Sequence, residues 1–119
     1  MRFFRDKPVR VQQVQRKQAE LDALQLAQDV AEIMALPAGR RVFMRLIVDG
    51  GVYRQSAPGE DRAYVAGRRD AALEVMRAVN LHSCQAALVA LQEHNEKMER
   101  RNRELQAAQT EDQRHKREQ

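Results

Sequence analysis

Three histidines, one cysteine and two adjacent carboxylates are the side chains here best suited to acid–base, nucleophilic or metal chemistry. His82, His94 and His115 each lack a second His or Cys three or four residues away, the spacing that puts two ligands on one helical face. His82 lies two residues before Cys84, but two side chains do not fill a four-ligand zinc shell. Nucleophilic Cys–His catalysis also needs a third group to orient the base. As the single cysteine, Cys84 excludes an intramolecular disulfide and a Cys-based zinc cluster. Glu60 and Asp61 are neighbours, so on a helix they diverge by about 100° and do not converge on one ligand. They suit a helix start, where the macrodipole favours negative charge. "DGG" (49–51) and "APGED" (57–61) are followed by no Lys-Ser/Thr pair, and no strand feeds them, so neither reads as a phosphate loop. No catalytic residue, metal ligand or cofactor is expected, and the reading is of a protein that is not an enzyme.

The residues with a clear spatial logic are of another kind. Cys84, Leu88, Leu91, Asn95, Met98, Asn102 and Leu105 follow one another at alternating steps of four and three, the spacing of a coiled-coil seam. With Leu88, Asn95 and Asn102 at a positions and Cys84, Leu91, Met98 and Leu105 at d, both asparagines fall on a. Asparagine there lowers stability but selects register and a two-stranded state, because each buried amide pairs with its mate. Glu93–Lys97, Glu96–Arg100 and Glu99–Arg103 support the helix as i, i+4 pairs at ~0.2–0.5 kcal/mol each. The seam residues Leu88, Leu91, Asn95, Met98, Asn102 and Leu105 therefore point to association with a second copy or with another helical protein. The bland alternative packs Leu88 and Leu91 on the domain and leaves the rest as a solvated helix.

Charge is spread unevenly along the 119 residues, whose net value is +4. Residues 1–17 carry six Arg or Lys against one Asp; 18–36 carry four acids and no base; 37–55 carry four Arg against one Asp. The remainder balances. Arg5, Lys7 and Arg10 in the N-terminal arm, with Arg40, Arg41 and Arg45, are thus candidate contacts for phosphate or an acidic surface. A solvated basic face is the competing reading.

These residues need few and long elements to carry them. Charged residues make up 32% and aromatic residues 4%, with five Gly, three Pro and no Trp, a profile of long helices. No stretch is apolar enough to span a membrane, and "MRFFRDKPVR" lacks the apolar run of a signal peptide. A basic flexible arm over 1–8 is expected to precede a long helix over 9–36. In that helix Val14, Leu21, Leu24, Ala27, Ala31 and Met34 recur at helical spacing, beside Leu26, Val30 and Ile33. Pro37 ends it and opens the next helix, whose inward face reads as Val42, Phe43, Leu46 and Ile47. Gly50 and Gly51 stop that helix, and Val52–Tyr53 fold back on its last turn. A third helix over about 60–79 places Tyr64, Val65, Ala71, Ala72, Val75, Met76 and Val79 inward and closes at Asn80. Ser83 caps a last helix over 83–109, with 110–119 a frayed polar tail. The expected fold is all-α, about four helices, with a helical core over 37–82 and projecting first and last helices.

Residues 36–79 read "LPAGRRVFMRLIVDGGVYRQSAPGEDRAYVAGRRDAALEVMRAV". A Gly-Arg-Arg opens a short helix; Gly-Val-aromatic, an acidic loop, an aromatic, a second Gly-Arg-Arg and an Ala/Leu-rich helix follow. This order resembles a family of small helical domains encoded by tailed bacteriophages, of the Bordetella podovirus type, and "GRRDAAL" is its more specific half. The resemblance implies a helical domain placed among virion-structure and packaging proteins, and it brings no catalytic residues. Gly67 costs ~1 kcal/mol relative to Ala inside a helix, which suggests close approach by another backbone. Arg68 and Arg69 either satisfy carbonyls at Asp49–Gly51 or join Arg40 and Arg41 in a phosphate-contact cluster.

The leading expectation is a virion or assembly protein, scaffold- or connector-associated, in the virion or the host cytoplasm. It would bind copies of itself or other phage structural proteins, with no membrane and no small-molecule substrate. The alternative is a small DNA-binding protein, a packaging-recognition subunit or a regulator, using Arg40, Arg41 and Arg45. Against it, the helix after Pro37 has few Asn, Gln, Ser or Thr to read bases.

Overall fold

A computed structural model describes residues 8–55 and 57–119. The fold is all-α: α1 Val9–Ala35, α2 Pro37–Asp49 and α3 Arg62–Glu118. The expected basic arm, with Arg5 and Lys7, lies outside the described residues apart from Pro8.

Local chemistry sets the ends of these helices. Pro37 drives Leu36 into extended geometry (φ −89°, ψ 134°), which stops α1, and then occupies the first turn of α2. At the other end of α2, Gly51 takes a left-handed φ of 82°. Its N–H donates to the Val48 carbonyl at 3.0 Å, while the Val52 N–H reaches back to Ile47 at 3.3 Å. That is the paired Schellman closure, and half-buried Val52 packs on the core as the hydrophobic partner of the stop. A loop held by an Arg54–Glu60 ion pair leads to Asp61. Asp61 is the cap of α3, its Oδ1 accepting from the N–H groups of Ala63 and Tyr64 at 3.1 and 3.3 Å. The third helix therefore begins at Arg62, after both carboxylates expected inside it.

α3 corrects three expectations. Asn80 does not end a helix; the chain bends at Ser83, whose φ −151° and ψ 52° are non-helical, and continues. The bend does not mark the edge of the core either, because Ala87 and Ala90 beyond it are buried. Helix then runs to Glu118 in place of a frayed tail. With no Gly or Pro after Ser83, nothing breaks it beyond the bend. The Thr110 hydroxyl bonds back to Gln106 at 2.9 Å, and His115, Lys116 and Arg117 complement the dipole of the last turn.

The core is small. Met34 from α1, Phe43, Met44 and Ile47 from α2, and Ala72, Val79, Ala87 and Ala90 from α3 are its buried residues. On α2 the covered face is thus Phe43–Met44–Ile47, one step round from the face expected, and Val42 and Leu46 stay exposed. Tyr64, Ala71 and Val75 are likewise exposed on α3, where Ala72 and Val79 do the packing. Of the long α1 stripe only Met34 is buried, with Ala27 and Val30 half-buried; Val14, Leu21, Leu24, Leu26 and Ile33 face outward. Three helices in a layer 15 Å thick and 87 Å long cannot cover more than one stripe of each.

The glycines also sort differently. Nothing lies within 4 Å of where a Cβ on Gly67 would stand, so no backbone approaches it. The close approaches are at Gly39, where a Cβ would run into the Ile33 carbonyl, and at Gly50, where it would meet the Ala72 methyl and, at 2.8 Å, the Leu46 carbonyl. Gly67→Ala is expected to stabilise the protein by ~1 kcal/mol through helix propensity. Gly50→Ala is expected to destabilise it, because a packed methyl and a helix carbonyl must shift. Thermal unfolding followed by circular dichroism at one protein concentration reads both, and a stabilising Gly50→Ala would contradict this packing.

Candidate functional site

Two surfaces gather the residues singled out in the sequence: the outer stripe of α3 and the cleft where α2 begins. The positions that α3 buries or half-buries past its bend, Ala87, Ala90 and His94, share the seam's spacing but sit one residue earlier. One residue is about 100° of helix rotation. The seam Cys84–Leu88–Leu91–Asn95 is therefore the neighbouring stripe, and only Leu91 takes part in the core, as a half-buried side chain packed against it. Cys84, Asn95 and Asn102 are exposed, and so are Leu88 at 60%, Met98 at 39% and Leu105 at 58%. The seam is thus uncovered while the other stripe holds the fold. From Met98 onward α3 extends past every buried residue among those described, and Asn102 and Leu105 are exposed.

The arginines divide. Arg40 is not a free cation: its Nε donates to Glu93 Oε1 at 2.7 Å, and its Nη1 donates to the carbonyls of Met34 and Ala35, each at 3.1 Å. Those carbonyls end α1 and have no intrahelical partner. One guanidinium therefore caps α1, sits in the first turn of α2 and clamps α3, with its side chain 17% exposed. This corrects its reading as a phosphate contact. Glu93, expected to pair with Lys97, serves Arg40 instead. No local signal marks this pair, because its members are 53 residues apart.

Arg68 Nη2 donates to the Asp49 carbonyl at 2.6 Å and Arg69 Nη2 to the Val52 carbonyl at 3.5 Å. Both act at the exposed C-terminal end of α2, and Arg68 also lies 5.8 Å over the Tyr64 ring. Arg40 and Arg41 stand toward the opposite end of that 13-residue helix, about 12–14 Å from Asp49 along its axis at 1.5 Å per residue. The four do not form one phosphate cluster. Arg45 is exposed and pairs with Asp49 at 3.4 Å; Arg10 is exposed on α1.

Arg41 remains outward-facing and lines a cleft of about 240 Å³ with Lys97 and Arg100, to which Glu93 and Glu96 also contribute. Among the described residues, Arg41, Lys97 and Arg100 form no ion pair within 4 Å. Among the same residues no group of three or more His, Cys, Asp or Glu is placed to hold a metal ion. No helix there is long and apolar enough to cross a membrane. Comparison with family models, with curated proteins and with solved structures found no match.

Arg40→Gln is expected to destabilise the fold by ~1–3 kcal/mol, since it strands two helix-end carbonyls and a partly buried carboxylate. Arg41→Gln, one residue on and solvent-facing, is expected to stay within ~0.5 kcal/mol. Urea denaturation of the two variants separates a structural from a surface role.

Proposed function

We propose that this protein is a non-enzymatic component of a tailed-phage particle or of its assembly, and that it works by docking helices. The α3 seam pairs with a second copy or with another phage structural protein. The observation that carries the docking is the unburied surface. The chain exposes 10454 Å² at 13.7 kDa, where a compact monomer of that mass exposes roughly 6,600 Å². Its radius of gyration is 22.9 Å, against about 14 Å for a compact chain of this length. A regular apolar stripe with two asparagines runs along that surface, and polar seam positions of this kind specify partners. The phage context is supported by the Gly-Arg-Arg order over 36–79. An elongated body with one helix projecting suits a scaffold- or connector-associated place, in the virion or the host cytoplasm.

Cys84 provides a built-in reporter. In a parallel, in-register pair of α3 helices it sits at d beside its mate, within the Cα separation a disulfide tolerates, ~4.4–6.8 Å. Mild oxidation is expected to give a disulfide-linked dimer on a non-reducing gel, lost in Cys84→Ser. Monomer alone would contradict the parallel homodimer. Replacing Asn95 and Asn102 together by Leu is expected to raise the melting temperature while mixing oligomeric states. Mass spectrometry of purified particles and assembly intermediates tests the phage role; absence from both would contradict it.

A second reading, nucleic-acid contact, is favoured by Arg41, Lys97 and Arg100 facing one cleft. It predicts DNA binding that weakens steeply with salt and falls when Arg41 and Lys97 become Glu. No binding at low salt would remove it.

A further inference from the structure

The faces of α1 and α2 that the core leaves open differ in charge. Between α2 and α3 lies an apolar groove of about 280 Å³, lined by Leu46, Ala71, Ala72 and Val75, with Asp49 and Arg68 at its rim. Arg45 stands beside it, 84% exposed. Arg45 and Arg68 outweigh Asp49, so the rim is net positive. Two such grooves brought face to face would oppose arginine to arginine, which disfavours a symmetric pairing through this face.

α1 carries the complementary surface. Residues 18–36 hold four acids and no base. Taking 100° per residue, Leu21, Leu24 and Ala31 form an outward stripe about 100° round from the buried stripe of Ala27, Val30 and Met34. Glu20 and Glu32 fall on the two edges of that outward stripe. It is an apolar ridge with acidic margins, the form that an apolar groove with a basic rim accepts. The surface exposed beyond that of a compact monomer is several times the ~800 Å² per partner that a stable interface buries.

We infer that the Leu21–Leu24–Ala31 ridge of α1 docks into the Leu46–Ala71–Val75 groove of a second copy, with Glu20 and Glu32 against Arg45 and Arg68. Unlike patches meet, so the contact is head-to-tail. Each copy keeps a free ridge and a free groove, and association propagates to a ring or a filament where a two-fold pair would stop. The contact is independent of the α3 seam.

The test uses the full chain with its seam disabled by Met98→Lys and Leu105→Lys, so that seam pairing and ridge–groove docking are read apart. Sedimentation velocity of this chain is expected to show mass growing with concentration past the dimer, and shrinking as salt screens the rim charges. Leu24→Asp and Leu46→Asp, both at exposed positions and checked for helicity by circular dichroism, are each expected to sediment as monomers in that background. Mixed, they are expected to form a discrete dimer, because one supplies the intact groove and the other the intact ridge. A seam-disabled chain monomeric at every concentration would overturn the inference. So would a mixture of the two variants that stays monomeric.

Discussion

Arg40 is the point at which the three helices become one structure. Its guanidinium satisfies the carbonyls that end α1, and it reaches Glu93 on α3 from the first turn of α2. The corner at Leu36–Pro37 brings it there, since extended geometry before the proline turns the chain within one residue. Around this junction the core has five larger side chains, Met34, Phe43, Met44, Ile47 and Val79, and three alanines. Each larger side chain contributes ~1.5–3 kcal/mol when fully buried. A core of that size holds the helices where they meet and nowhere else.

The rest of the architecture follows from that limit. A layer 15 Å thick has one inner face, and helices with apolar residues on more than one side must leave some of them in water. An unfolded chain of this mass exposes roughly 20,000 Å², so folding alone hides only about half of it. Compact domains half this length hide about 60%. Association is the physical remedy available to a chain whose exposed apolar residues are ordered in stripes. The α3 seam and the α1 ridge are the two stripes with regular spacing, and they lie on different helices. An assembly can therefore use both at once.

Much of this was legible in the sequence because the relevant signals are local. Pro37 and the Gly50–Gly51 stop each act within a turn of helix, and both appear at the positions expected; Ser83, expected to cap a separate helix, is a bend within α3. The seam was legible as spacing. What was not legible was tertiary choice. α2 is apolar around much of its circumference, and which side faced inward depended on where α3 lay, so Met44 replaced Val42 and Leu46. Gly67 looked like a contact and is open, while Gly50, read only as part of a stop, carries the close approach to Ala72. Arg40 looked like a surface cation because its partner is 53 residues away. Arg68 did what its neighbourhood suggested, closing the α2 end at Asp49. The last helix runs past the expected 109 because a helix needs no apolar residues to continue, and the described residues beyond Ala90 are not buried.

The central claim is that this chain completes its burial with another copy through the outer stripe of α3. The most direct measurement is the solution mass, across a wide concentration range, of the intact chain and of a chain ending at Lys97. That shorter chain keeps Ala87, Ala90 and Glu93, and with them the whole core and the Arg40 clamp. The account predicts that the intact chain is a dimer or larger and that the shortened chain dissociates at concentrations where the intact one does not. Equal masses for the two, with both folded, would contradict it.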